Sequence, residues 1–296
     1  MKNFSEIYQK LYKENHEELE ALRQESKKKH IIALACIVLL AIIISLTINT
    51  GIGVFVGILG LLISCVLPFS SELNKAYKSK VIKNLVKYYD DGLEFSPTMR
   101  ISSFDYRQAE FESYDNFYSN DLIFGKIDKL IKFQAGDVRT EDVSTDSDGN
   151  TTRTTLFSGL FSVAEFDKNI NSTIKIRSDK GILGKLIKSK ELMQMDSQEF
   201  EKQFDVYASD KILAMRILTS DILDYMLTFK TKNKVKFEIT LKDYKLYVRI
   251  RCQDLFEVKQ FKDSMDFDTL NRYYNFIDFI CELNRKIYYV LSEKDL

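Results

Sequence analysis

The stretch IIALACIVLLAIIISLTINTGIGVFVGILGLLISCVLPFSS, Ile31–Ser71, contains no charged side chain. A helix needs about 20 apolar residues to cross the hydrocarbon core of a bilayer, so the run is roughly twice the length of one span. Its middle, Thr47-Ile48-Asn49-Thr50-Gly51-Ile52-Gly53, holds Asn and Gly, which reverse a chain cheaply because they adopt positive φ readily. The run reads as a transmembrane helical hairpin with spans at 31–48 and 52–69, each satisfying its own backbone hydrogen bonds. A cleaved signal peptide would start earlier and be shorter. A buried hairpin in a water-soluble protein would need a large apolar partner to cover it.

The flanks of the run are basic. Arg23, Lys27, Lys28 and Lys29 precede it, and Lys75, Lys78, Lys80, Lys83 and Lys87 follow it. The positive-inside rule puts both flanks, and with them both termini, in the cytoplasm of a multi-pass membrane protein. The same lysines form a membrane-surface cluster for anionic headgroups, worth about 1 kcal/mol per charge. Gly53, Gly57 and Gly60 fall on one face of the second span, where small residues allow close helix packing. That face serves either the two spans against each other or a second copy of the chain. Neither span has an ionisable residue, which argues against a channel or transporter.

The runs on either side differ in character. Residues 1–30 read as a charged amphipathic helix with Phe4, Ile7, Leu11, Leu19 and Leu22 on one stripe. The stripe is left to a second copy, the C-terminal domain, the membrane surface or solvent. Residues 72–97 read as a basic juxtamembrane helix and linker, ending near Asp91-Gly92 and Ser96-Pro97. Residues 98–296 read as a cytoplasmic α+β domain, with a mainly antiparallel sheet and packed helices. Its β-like runs include 122–127, 130–133, 172–177 and 200–207, and a hairpin pairs 137–146 with 151–163 across Ser147-Asp148-Gly149-Asn150. Helices are expected at 180–193, 211–218, 220–229 and 267–292, with Thr219 or Ser220 as a cap. Val235–Leu241 and Leu246–Cys252 alternate apolar and polar residues about Lys242-Asp243-Tyr244-Lys245. This predicts a hairpin with one buried and one polar face.

Composition narrows the chemistry. Basic and acidic residues balance at 43 each, so nucleic acid is not an expected partner. The only histidines are His16 and His30, which removes Ser-His-Asp and Cys-His arrangements from everything beyond them. Cys36, Cys65, Cys252 and Cys281 have no metal-ligand spacing and read as small buried side chains. Abundant Lys, Ile, Asn, Phe and Tyr, with no Trp and two Pro, fits an AT-rich bacterial genome.

Three segments could carry chemistry. In the loop Asp142–Asn150, counting from Ser144 puts Gly149 at the sixth EF-hand position but Thr155 at the twelfth, where a bidentate Glu is required; the loop reads as a hairpin turn. Gly181-Ile182-Leu183-Gly184-Lys185-Leu186 lacks the Gly and Ser/Thr of a phosphate loop. Lys175, Arg177, Lys180, Lys185, Lys188 and Lys190 make a basic stretch, either a solvated face or a face for an anionic ligand. Glu199, Glu201 and Asp205 would share one strand face, more consistent with solvent than with acid–base catalysis. No catalytic residue, metal site or cofactor is assigned.

The two-span hairpin, Glu141-Asp142, Leu156-Phe157-Ser158-Gly159-Leu160-Phe161, and Glu199–Asp210 followed by Ala214 and Ile217-Leu218-Thr219 together resemble the bacterial domain-of-unknown-function family 3137. So does the arm ending Leu19-Glu20-Ala21-Leu22-Arg23. The resemblance implies a bacterial cell-membrane protein with a cytoplasmic domain and carries no activity. The reading is a membrane-anchored cytoplasmic binding or scaffold module whose partners are the bilayer and a protein, itself or another. A membrane-bound enzyme using carboxylates or a metal, and an oligomerising membrane-assembly protein, are the alternatives.

Overall fold

The computed structural model describes residues 3–66, 70–178, 190–195, 197–253, 255–258 and 261–293. Within them the fold is α+β, with a long apolar helix near the N-terminus and a large antiparallel sheet. The chain divides into two compact units, one built on Leu85–Leu255 with Asn271–Leu296, the other on Asn3–Asn84 with Phe256–Leu270.

The second unit begins with α1, Phe4–Thr47, 44 residues without a break. No Gly or Pro interrupts it, so the expected boundary between a charged arm and a first span does not exist as a change of structure. Phe4, Ile7, Leu11, Asn15, Leu19 and Ser26 are its buried positions. They are covered by the chain itself: the Phe4 and Tyr8 rings lie 5.1 and 4.9 Å from that of Phe267, and Tyr8 donates to the Met265 carbonyl at 2.9 Å.

The chain reverses at Ile48–Asn49, where Asn49 Oδ1 accepts from Gly51 N at 2.7 Å, and α2 follows over Thr50–Val66. A Cβ on Gly53 would lie 1.9 Å from Ser45 Oγ and 2.6 Å from the Ala41 carbonyl oxygen, and one on Gly60 would lie 2.5 Å from Ile37. The three glycines thus face α1. Beyond lie α3 (Ser71–Ala76), a π-helical turn (Tyr77–Ile82) and α4 (Lys83–Tyr89). Two of their lysines are paired within the unit, Lys78 with Glu257 and Lys80 with Glu18, each at 2.5 Å.

The first unit is a nine-stranded antiparallel sheet in the order β1-β2-β3-β4-β9-β8-β5-β7-β6. Its strands are β1 (Leu93–Ser96), β2 (Asn116–Ile127), β3 (Ile131–Thr145), β4 (Thr151–Glu165), β5 (Thr173–Ser178), β6 (Leu192–Met193), β7 (Phe204–Ala208), β8 (Phe237–Lys242) and β9 (Lys245–Arg251). The β3–β4 hairpin turns where Asp146 accepts from the amides of Asp148 and Asn150 at 3.0 and 2.8 Å, an Asx-type turn. Its helices are α5 (Ser103–Gln108), α6 (Gln198–Glu201), α7 (Lys211–Ile217), α8 (Ser220–Asn233) and most of α9 (Phe267–Glu293).

One face of the sheet is packed by α8 and α9. Phe229 and Phe279 stack at 3.7 Å between ring centroids, and Phe237 of β8 meets Phe279 at 4.9 Å. Burying each such ring contributes about 1.5–3 kcal/mol. The inward positions expected for the last helix, Leu270, Tyr273, Tyr274, Ile277, Ile280 and Leu283, are all buried.

Several expectations need correction. Leu192–Met193 is a strand paired to β7, not a helix end; 180–189 lies outside the described residues. Strand β7 starts only at Phe204, because Ser197 caps the short helix α6 by accepting from Phe200 N, so Glu199 and Glu201 are not strand residues. Thr219 occupies the N-cap of α8 but makes no side-chain capping bond. The polar face of the β8–β9 hairpin is not open to water, since Tyr247 and Arg249 are buried at 4 % and 8 % exposure.

Candidate functional site

The alternate positions of β5, β8 and β9 put Lys175, Arg177, Glu238, Thr240, Lys242, Tyr247, Arg249 and Arg251 on the sheet face away from α8 and α9. The segment Ile101–Asp115, with α5 at its centre, folds across this face. Its Tyr106 and Ala109 join Phe157, Phe161, Val163 and Tyr247 in a core, with Phe111 packed against it. Tyr106 and Phe161 are edge-to-face at 4.9 Å.

The strap is held by charge as well as packing. Asp105 accepts from Lys245 at 2.8 Å, and Glu110 from both Lys175 and Lys242 at 2.6 Å. Thr240 donates to the Ala109 carbonyl at 2.7 Å. Arg177 lies 4.8 Å from the Phe111 ring centroid and donates to Thr240 Oγ1 at 2.9 Å and to the Glu110 carbonyl at 3.3 Å. Hydrogen bonds from Lys175 and Lys242 hold the Glu110 carboxyl down at about 2, while burial lowers Arg177 to about 10, still protonated at neutral pH.

Arg249 is the hub. It pairs with Glu112 of the strap and with Glu238 on the adjacent strand, donates to Tyr106 Oη at 2.8 Å, and sits 4.4 Å from the Phe111 ring. Tyr106 passes the chain on, donating to Glu112 at 2.6 Å. Burial pushes the Tyr106 hydroxyl above its ordinary value. Burial alone would lower Arg249, but Tyr106, Glu238 and Glu112 outweigh it and raise it.

Beside this hub opens a cleft of about 580 Å³, lined among others by Phe157, Ser178, Lys236, Glu238, Arg249 and Arg251. Arg251 is fixed by donating to the Leu156 carbonyl at 2.7 Å and by lying 5.5 Å from the Phe157 ring centroid. Ser178 donates to the Phe237 carbonyl at 3.0 Å. The cleft offers cationic donors on an aromatic floor, and a Ser178 hydroxyl with no histidine to activate it. Among the described residues no group of three or more His, Cys, Asp or Glu is placed to hold a metal ion.

Of the basic stretch read from sequence, Lys175 and Arg177 sit under the strap, Lys190 is exposed, and Lys180, Lys185 and Lys188 lie outside the described residues. Lys28, Lys75, Lys83 and Lys87 are exposed, and Lys29 is exposed but paired with Glu25 at 2.8 Å. Sequence reasoning missed the hub. The signal was present: a Tyr and an Arg at alternate positions of a supposedly wet face, and the aromatic–acidic run Phe104, Asp105, Tyr106, Glu110, Phe111, Glu112.

Residues 155–287 match the family model described as "Protein of unknown function (DUF3137)". Over this segment the chain is similar to the DUF3137 family. The DUF3137 match takes in β4 from Thr155 onward and the β8–β9 hairpin with the cleft and Arg249, whereas α1, α2 and the strap lie outside it. No curated protein matches the sequence. Among solved structures, the mycobacterial trehalose monomycolate transport factor A, TtfA, is similar at 9 % identity and a TM-score of 0.35, over 69 % of this chain and 95 % of that one.

Proposed function

We propose that this protein is a membrane-anchored binding module. In this reading the apolar half of α1 and all of α2 form a transmembrane hairpin in the bacterial inner membrane, both termini are cytoplasmic, and the α+β unit takes up a ligand or partner. One observation carries it: α1 contains an 18-residue window of mean hydropathy 2.8, none of which is buried. Ile31, Val38, Leu39, Leu40 and Leu46 are all open, as are Val54, Phe55 and Leu62 of α2. So large an apolar surface is at home in lipid rather than water.

The basic flanks support the orientation. Lys27, Lys28, Lys29, Lys75, Lys83 and Lys87 are proposed to meet anionic headgroups, with Lys78 and Lys80 committed to Glu257 and Glu18. Gly53, Gly57 and Gly60 are taken up by α1, so the glycine face serves the hairpin rather than a dimer.

The test is membrane extraction of the full chain expressed in bacteria. The chain should stay with membranes through an alkaline carbonate wash and be released by detergent. Recovery in the alkaline supernatant would refute the anchor.

A further inference from the structure

We infer that the cleft beside Arg249 binds a phosphate group. This deepens the binding reading above and names its ligand class.

The first ground is an uncompensated charge pair. Arg251 N donates to the Lys236 carbonyl at 2.8 Å, continuing the register in which Phe237 faces Ile250. Lys236 and Arg251 therefore stand opposite each other at the open end of the hairpin, on the same face as Glu238 and Arg249. Like charges directly opposite on neighbouring strands are destabilising. Among the described residues neither cation has an ion-pair partner, and the one carboxylate lining the cleft, Glu238, is held by Arg249. An anion lodged between Lys236 and Arg251 removes that repulsion.

The second ground is preorganisation. Arg251 is pinned by a single bond to the Leu156 carbonyl and by the Phe157 ring, leaving its other N–H donors without a partner among the described residues. A planar guanidinium held this way presents a ready fork to a tetrahedral oxyanion. Lys236 supplies a mobile point charge opposite. With Glu238 neutralised by Arg249, the two remaining cations, Lys236 and Arg251, favour a phosphate monoester, near two negative charges at neutral pH, over a carboxylate. The phosphate can belong to a soluble metabolite or to a lipid headgroup, since the chemistry at the cleft is the same.

The test uses the full chain. In uncharged detergent it is titrated with phenyl phosphate by calorimetry. In nanodiscs, phosphatidic acid is compared with phosphatidylcholine by the thermal shift each gives. The double variant Lys236→Gln/Arg251→Gln is run beside the distant control Lys132→Gln. Saturable binding weakened at least about tenfold by the double variant and unchanged by the control is expected. Lys236→Gln alone should raise the melting temperature without ligand and abolish the ligand-induced rise. A response in detergent assigns a soluble ligand, and one to phosphatidic acid alone assigns a headgroup. No saturable response in either arm, or equal binding by the double variant, overturns the inference. Carbonate extraction of the bacterial membranes, before solubilisation, reads the membrane anchor independently, so failure here leaves that reading untouched.

Discussion

Arg249 of β9 and Glu238 of β8 occupy the same rung of the sheet, and the Arg249 Nε donates to Glu238 Oε2 at 2.6 Å beneath the Phe111 ring. The guanidinium also holds Glu112, so one side chain satisfies two carboxylates from separate parts of the chain.

Removing Arg249 would strand both. Arg249→Met keeps much of the side-chain volume but leaves two half-buried carboxylates unpaired, and should cost about 3–5 kcal/mol. Arg249→Lys retains the charge but loses the fork, and should fall between. Urea unfolding followed by far-ultraviolet circular dichroism measures both, since the chain has no tryptophan.

Acid should loosen the strap. Glu110 is held at about 2 in the fold against an ordinary 4.5, so its contribution is complete above pH 4.5 and disappears as pH falls towards 2. Its side chain is 42 % exposed, and screening keeps each pair under about 1 kcal/mol. Glu110→Gln should flatten the acid limb of stability against pH in that window and leave neutral stability only slightly lower.

The glycines of α2 should not be equivalent. Gly53→Ala puts a methyl into the Ala41 carbonyl, a backbone atom that cannot rotate away, and should cost about 1–3 kcal/mol. Gly57→Ala meets only the Ala41 methyl at 3.3 Å. The gain in helix propensity, about 1 kcal/mol, should leave it neutral or stabilised. Thermal unfolding in micelles separates the two.

Two thiols should be silent in the folded protein. Burial raises Cys252 to about 11 and Cys281 further, so neither should react with a thiol reagent at neutral pH until the domain is unfolded. Rapid labelling of either in the native state would contradict the packing around α9 and β9.

The proposed hairpin orientation makes opposite demands on two positions. With Cys36→Ala and Cys65→Ala as background, Asn49→Cys should label with an impermeant maleimide from the periplasmic side of spheroplasts, and Lys87→Cys only after lysis. The reverse pattern would invert the topology.

What was legible in the sequence was local. The reversal at Ile48–Asn49 and the turns at Ser147–Asn150 and Lys242–Lys245 are written in residues whose backbone preferences act over a few positions. The last helix and its inner face followed from a clean 3.6-residue period. The hub was not legible because it depends on what covers the sheet. Alternation in β8 and β9 marks two faces but does not say that Ile101–Asp115, which has no period of its own, lies over the second. Phe200–Tyr207 misled for a related reason: Ser197 closes a helical turn ahead of an apolar run that by itself reads as a strand.

Helix α1 has one more consequence. With no glycine or proline among its 44 residues, it is a rod of about 66 Å without a hinge. If its apolar half lies in lipid, as proposed, the tilt that bilayer thickness imposes there must reappear at its other end. Tyr8 and Arg23 clasp the carbonyls of Met265 and Lys262 on that half of the helix. Membrane thickness would thereby become a mechanical input, delivered by leverage to the segment that leads into α9.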